Sequence, residues 1–241
     1  MTKNILEQIK KSKQNGAKLL AILLDPDKLT FNKLSEIIAK INKDKVNFIF
    51  VGGSAVTNGI TDVFIKNIKK LTSIPIVLFP GDFTQLTNHA DTVLFLSLLS
   101  GRNPEYLIEQ QIKSVNFLKK SSLEIIPTGY ILIEGGVETS VQKVSKTNPI
   151  PQENIDEIVS TSLAGQFLGK QIIYLEAGSG AKIPVEPKII NAVTKSLDIP
   201  LIVGGGIRTK LQLQNAYKNG ADIVVIGTAF EDNNNFLTEI S

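Results

Sequence analysis

Short apolar runs recur along the chain, over residues 19–24, 48–51, 76–79, 92–98, 124–133, 171–175, 201–203 and 223–226. Most are nearly unbroken in apolar residues. Strict alternation would mark a sheet with one wet face, whereas continuous runs predict parallel strands covered on both faces. Helical spacing fills most of the intervals. Leu34, Ile37, Ile38 and Ile41 recur at i, i+3, i+4 and i+7. Pro104, Leu107, Ile108, Ile112, Val115 and Leu118 predict another helix, opened by a proline near its first turn. Pro187, Ile189, Ile190 and Val193 open a third, and Leu211, Leu213, Ala216 and Tyr217 form a fourth that Gly220 ends.

Eight strands alternating with helices predict a closed (β/α)8 barrel, a TIM barrel in architecture. An open doubly wound sheet is the alternative. No linker or shift of composition divides residues 1–241, so one domain is expected. One connection breaks the pattern. Pro80 to Asp91 spans only twelve residues between the third and fourth strands. That is close to the minimum for a crossover with its helix. The third helix is therefore expected to be missing, stunted or replaced by a loop, leaving an apolar slot in the wall. The polar stretch from Glu134 to Pro151 is long enough to serve as a lid.

Composition narrows the chemistry. The 241 residues are 42% hydrophobic and 20% charged, enough apolar material for a large core. The net charge is only +3, and Lys10, Lys11 and Lys13 form the densest basic run, read as a solvated helix face. No aromatic stripe suggests base stacking, so no nucleic-acid partner is expected. There is no cysteine, which excludes disulfides, thiolate nucleophiles and cysteine metal sites. The single His89 reads as a loop residue. Any metal must then be a hard cation on oxygen ligands, and Mg²⁺ fits best. The start, Met1-Thr-Lys-Asn, shows no signal-peptide hydrophobic region, and no run of about 18 apolar residues occurs. A cytoplasmic protein without a membrane span is expected.

In a parallel barrel the C-terminal strand ends carry the active site. The first strand ends in Leu24-Asp25-Pro26-Asp27-Lys28. Asp25 shares parity with Ala21 and Leu23, so it sits at the barrel mouth if they face inward. It reads equally as a metal ligand or as the cap of an Asp-Pro turn. The second strand ends in Gly52-Gly53-Ser54, with Ser54 an oxygen ligand or a helix cap. The sixth runs through Tyr174, Leu175 and Glu176 into Ala177, Gly178, Ser179 and Gly180. Residues 172, 174 and 176 share a face, so the Tyr174 hydroxyl and the Glu176 carboxylate point the same way. The seventh ends in Gly204-Gly205-Gly206 and the eighth in Gly227-Thr228, a pairing that fits a phosphate site.

These segments, in this order, resemble the geranylgeranylglyceryl phosphate synthase family, as does the loop from Gly136 to Val141 and from Val144 to Pro151. The resemblance covers essentially the whole chain. It implies Mg²⁺-dependent transfer of a long prenyl group from its diphosphate to the C3 hydroxyl of sn-glycerol 1-phosphate, forming an ether. It also implies a barrel whose third helix is a loop. By the family pattern Asp25 and Ser54 hold Mg²⁺, while residues Tyr174 to Gly180, Gly205, Gly206, Gly227 and Thr228 bind glycerol phosphate. Glu176 is catalytic, placed on the acceptor hydroxyl to take its proton. The prenyl chain is expected in the slot of the absent helix, against Phe79, Leu98 and Ile131. The resemblance further implies a homo-oligomer, a dimer or a hexamer, with peripheral membrane contact at most. Two other readings use the same phosphate site: an isomerase or cyclase of a phosphosugar, with Asp25 as acid/base, and a non-catalytic barrel that binds an anionic metabolite.

Overall fold

The computed structural model describes residues 4–233 and 236–237. The strands β1 (Leu19–Leu24), β2 (Phe48–Val51), β3 (Ile76–Leu78), β4 (Thr92–Leu98), β5 (Glu124–Leu132), β6 (Ile172–Glu176), β7 (Leu201–Gly204) and β8 (Ile223–Ile226) pair in sequence order, all parallel. The pairing of β8 with β1, Leu20 opposite Val224, closes the barrel and rules out the open sheet. Observed strands differ from the apolar runs by a residue or so, because Glu176 and Gly204 continue the ladder although neither is apolar.

The helices are α1 (Ile5–Gln14), α2 (Phe31–Lys43), α3 (Ile60–Ile68), α4 (Gln110–Leu118, entered through a π-turn Glu105–Glu109), α5 (Ser140–Ser145), α6 (Ile155–Phe167), α7 (Pro187–Ser196), α8 (Lys210–Lys218) and α9 (Thr228–Asp232). Between β3 and β4 stands only a 3-10 turn, Phe83–Gln85, so the short connection does replace the third barrel helix by a loop. That loop is anchored on the end of β2. Phe79 N–H donates to Val51 O at 2.9 Å, and Gln85 Nε2 donates to Gly53 O at 2.9 Å.

Alternate strand residues divide into two cores. Ala21, Phe48, Phe50, Val77, Leu94 and Ile126 fill the barrel, with Tyr130, Ile172, Tyr174, Ile202, Ile223 and Val225. Their neighbours face the helices. Ile5 and Ile9 of α1 join the inner core and close the barrel's N-terminal end. That helix is fixed by Glu124 at the start of β5, whose carboxylate accepts from the Ile5 and Leu6 N–H groups at 2.6 and 2.9 Å. A carboxylate at a helix N-terminus meets unpaired donors and the positive end of the dipole. The basic run is only partly a solvated face: Lys13 pairs with Asp222 at 3.1 Å and Lys10 donates to Gln171 at 2.9 Å.

Two packing expectations change. Most of the predicted apolar stripe faces outward, with Ile108 of the π-turn 50% and Ile112 of α4 58% exposed. The face toward the barrel carries Gln111 and Ser114, with Leu118 the member of the stripe that turns inward. Ile131 lies in the outer core, because it has the opposite parity to Tyr130, so it cannot line an inner slot.

Candidate active site

One cavity of about 1400 Å³, open mouth included, occupies the C-terminal end of the barrel. At one end stand Tyr174, Glu176, Gly178, Ser179, Gly180, Gly205, Gly206, Gly227 and Thr228, with Ser54 across the mouth. At the other end the cavity runs into the place of the missing helix, between Phe79, Phe83, Leu94, Leu96, Leu98 and Tyr106. Val141 and Val144 from the long loop cover it, so the expected lid is a folded flap with its own helix, α5. A bridge between Ile133 and Ile150 ties the flap down.

Glu176 is the most unusual group. It ends β6 opposite Gly204 of β7, 6% exposed. Its Oε1 accepts from the Gly178 N–H at 2.8 Å. Burial raises its pKa to about 7, with the nearby Tyr174 hydroxyl and the Gly178 N–H pulling it partly back. The same burial, together with the Glu176 charge, holds the Tyr174 and Tyr130 phenols well above their usual range. The Tyr174 hydroxyl is buried and has no well-aligned hydrogen-bond partner in the chain. It stands beside the Glu176 carboxylate in the cavity. Gly204 makes this arrangement possible. A methyl there would lie 2.5 Å from Glu176 Oε2 and 2.6 Å from the Tyr174 oxygen.

Tyr130 and Tyr174 are direct partners across β5 and β6. Their rings meet edge to face at 5.4 Å, and Phe79 stacks on Tyr174 at 5.1 Å. These three rings stand where the polar and apolar ends of the cavity join. Tyr130 was not evident from sequence, although its parity on β5 and the parallel register would have brought it to Tyr174.

Asp25 stands just behind the lining. Its Oδ1 accepts from the Asp27 N–H at 3.1 Å, so it caps its own turn. Its Oδ2 lies against Gly53, where a Cβ would come within 3.0 Å, next to Ser54. The cap and the ligand reading therefore coexist on two different oxygens. Burial raises the Asp25 pKa, partly offset by the Asp27 N–H and Lys28. Ser54 caps no helix, since α3 starts from Gly59. Leu175 and Ala177 do not line the cavity; both side chains face the outer core, and the Ala177 N–H is taken by Gly204 O at 3.0 Å. Lys28, Glu231, Gln111 and Arg208 are polar residues at or near the cavity that the strand-end reading left without a role. His89 lies away from it, 3.5 Å from Asp62.

The site defines a class: an eight-stranded parallel barrel whose cavity joins glycine turns at strands six to eight, a buried carboxylate and an apolar arm, a shape that suits an amphiphilic ligand. Comparison with known proteins makes this specific. The chain belongs to the PcrB family, whose pattern matches residues 9–241. It is 53% identical over 232 residues to the geranylgeranylglyceryl phosphate synthase of Flavobacterium johnsoniae, covering 96% of each chain. It is 55% identical over 228 residues to the protein of that name from Zunongwangia profunda, covering 95% of this chain and 97% of that one. The crystal structure of (S)-3-O-geranylgeranylglyceryl phosphate synthase from Thermoplasma acidophilum, in complex with its substrate sn-glycerol-1-phosphate, superposes with a TM-score of 0.92. That pair is 33% identical, with 100% of this chain and 96% of that one covered.

Proposed function

We propose that this chain is a geranylgeranylglyceryl phosphate synthase, joining a long prenyl group to the C3 hydroxyl of sn-glycerol 1-phosphate with release of diphosphate. The observation that carries the reading is a single cavity with two chemically opposite ends: a glycine cradle with Glu176, and an apolar arm where a barrel helix is absent. A phosphosugar isomerase would use the first end but has no need of the second. A passive anion-binding barrel gives no reason for a carboxylate held near pKa 7.

Each group then has a task. The turns at Gly178–Gly180, Gly205–Gly206 and Gly227–Thr228 seat the phosphate of the acceptor, which fixes its free hydroxyl toward Glu176. Holding the two reactants in register is the main contribution, because the donor is intrinsically reactive once its leaving group is neutralised. Glu176, ionised above about pH 7, accepts the hydroxyl proton as the C–O bond forms at the prenyl C1 carbon and the C1–diphosphate bond breaks. The Tyr174 hydroxyl, beside Glu176, can donate to an acceptor oxygen. Leu94, Leu96 and Leu98 take the prenyl chain and keep water from the reacting carbon.

A magnesium ion fits beside Asp25 and Ser54. Among the described residues no cluster of three metal-type side chains exists, and Mg²⁺ commonly takes one carboxylate and fills its shell from substrate phosphates and water. When bound it supplies Lewis-acid neutralisation of the diphosphate. A homo-oligomer, dimeric or hexameric, would cover Ile108 of the π-turn and Ile112 and Val115 of α4, which the monomer leaves in water. Among the described residues no helix is long and apolar enough to cross a membrane, which is compatible with a cytoplasmic enzyme touching lipid only at its surface.

The test is direct. Purified protein with labelled sn-glycerol 1-phosphate, geranylgeranyl diphosphate and Mg²⁺ should yield the prenyl ether. Absence of product across a range of prenyl lengths would remove the proposal.

A further inference from the structure

Lys28 follows β1 at the barrel mouth, and three elements share its ammonium. Nζ lies 3.1 Å from Glu231 Oε2 of α9, 3.7 Å from Asp25 Oδ2, and 3.5 Å from Ser179 Oγ in the turn after β6. Ser179 Oγ lies in turn 3.4 Å from Thr228 Oγ1. The nitrogen thus stands on a seam. On one side is the carboxylate read as the metal ligand; on the other are two hydroxyls of the acceptor cradle. The Asp25 and Glu231 side chains are 17% and 13% exposed, whereas Lys28 is 48% exposed. The cation reaches in from the rim to two nearly buried anions.

We propose that Lys28 is a ligand of the acceptor phosphate, held at the seam by Glu231. The proposal rests on the acceptor site described above and deepens it. An ammonium has three donors and no acceptor, on a flexible four-carbon stem. Glu231 engages one donor at a normal hydrogen-bond distance. Asp25, at 3.7 Å, is beyond that distance and is held by charge alone. A cation arriving at Asp25 takes over that charge contact and leaves Lys28 anchored on Glu231, and the remaining donors turn toward the oxygens of a phosphate at Ser179 and Thr228. Two anionic groups must approach each other in this reaction, the acceptor phosphate and the donor diphosphate. A fixed positive charge between them lowers their repulsion. Glu231 acts through Lys28 and is a positioning residue.

Calorimetric titration of the full-length protein with sn-glycerol 1-phosphate, without metal or prenyl diphosphate, tests this apart from turnover. Lys28→Met should weaken binding at least about tenfold, the loss of one charge-assisted hydrogen bond. Lys28→Arg should keep binding within about threefold, since the charge and donors remain. Glu231→Gln should weaken binding several-fold, and should cost nothing more in the Lys28→Met background, because its effect runs through the ammonium. A surface ion pair of purely structural meaning would instead move the thermal midpoint and leave the titration unchanged. Lys28→Met binding within twofold of wild type overturns the ligand role. Additive losses in the double variant overturn the positioning role. No binding by the wild-type protein overturns the acceptor site itself, and Lys28's role with it.

Discussion

The Glu176 carboxylate is gripped on one oxygen by the Gly178 N–H at 2.8 Å, and its other oxygen rests on Gly204 beside the Tyr174 hydroxyl. One oxygen is thereby fixed by backbone, and the other is left for chemistry. Glu176→Gln keeps the shape and an acceptor oxygen for Gly178 but removes the base. Turnover should fall by about 10² to 10⁴, the usual share of a general base. Glycerol phosphate affinity, measured by calorimetry, should change little. Near-normal turnover would take Glu176 out of its role.

The same residue sets two pH dependences. With its pKa raised to about 7, catalysis should rise with pH through that value and level off above it. Stability moves the other way. The folded state holds a proton on Glu176 that the unfolded chain has already released at its ordinary carboxylate pKa near 4.5. Stability from this group is therefore fully present below about pH 4.5 and is lost as pH rises through about 7, on the order of 3 kcal/mol in all. Urea unfolding of wild type and Glu176→Gln at pH 5 and pH 8.5 should show a gap that shifts toward the variant at the higher pH.

Gly52 supports the loop that stands in place of the third barrel helix. Its φ is 155° and a methyl would fall 1.9 Å from the Phe79 carbonyl oxygen, where the substitute loop turns away from β3. Gly52→Ala should destabilise the fold by about 2 kcal/mol or more, by backbone clash and strain together. Because Phe79 must move, the variant should also lose prenyl diphosphate affinity more than glycerol phosphate affinity.

Asp25→Asn should raise the Mg²⁺ concentration needed for half-maximal activity about tenfold or more, because the one charged ligand proposed for the ion becomes neutral. Asn can still accept the Asp27 N–H, so the turn should survive, with thermal unfolding near that of wild type. An unchanged Mg²⁺ titration would count against Asp25 as a ligand.

Glu124→Ala should loosen the barrel plug. Two α1 N–H groups lose their acceptor, and Ile5 loses its anchor in the inner core. A cost of about 1–2 kcal/mol is expected by chemical denaturation. Hydrogen exchange should rise in α1 before it rises in β6.

Much of this molecule is local in origin and therefore legible in the chain. The strands are apolar runs, and their two-sided burial follows from parallel pairing. Parity alone put Tyr174 and Glu176 on one face, and the twelve residues from Pro80 to Asp91 left no room for a helix. What depends on neighbours across the barrel was not legible. The α4 stripe has helical spacing whether it faces the core or water, so only packing shows that Ile108 and Ile112 face out. Ile131 was misplaced because a run apolar on both faces hides its parity. Lys28 and Glu231 lie 203 residues apart, and nothing local pairs them. The Glu176 pKa near 7 likewise comes from desolvation by surrounding strands, which no single segment contains. Alternation and spacing are properties of one segment and determined the barrel, its site-bearing end and its missing helix; burial and charge contact are sums over many segments, and closing the sheet decided them.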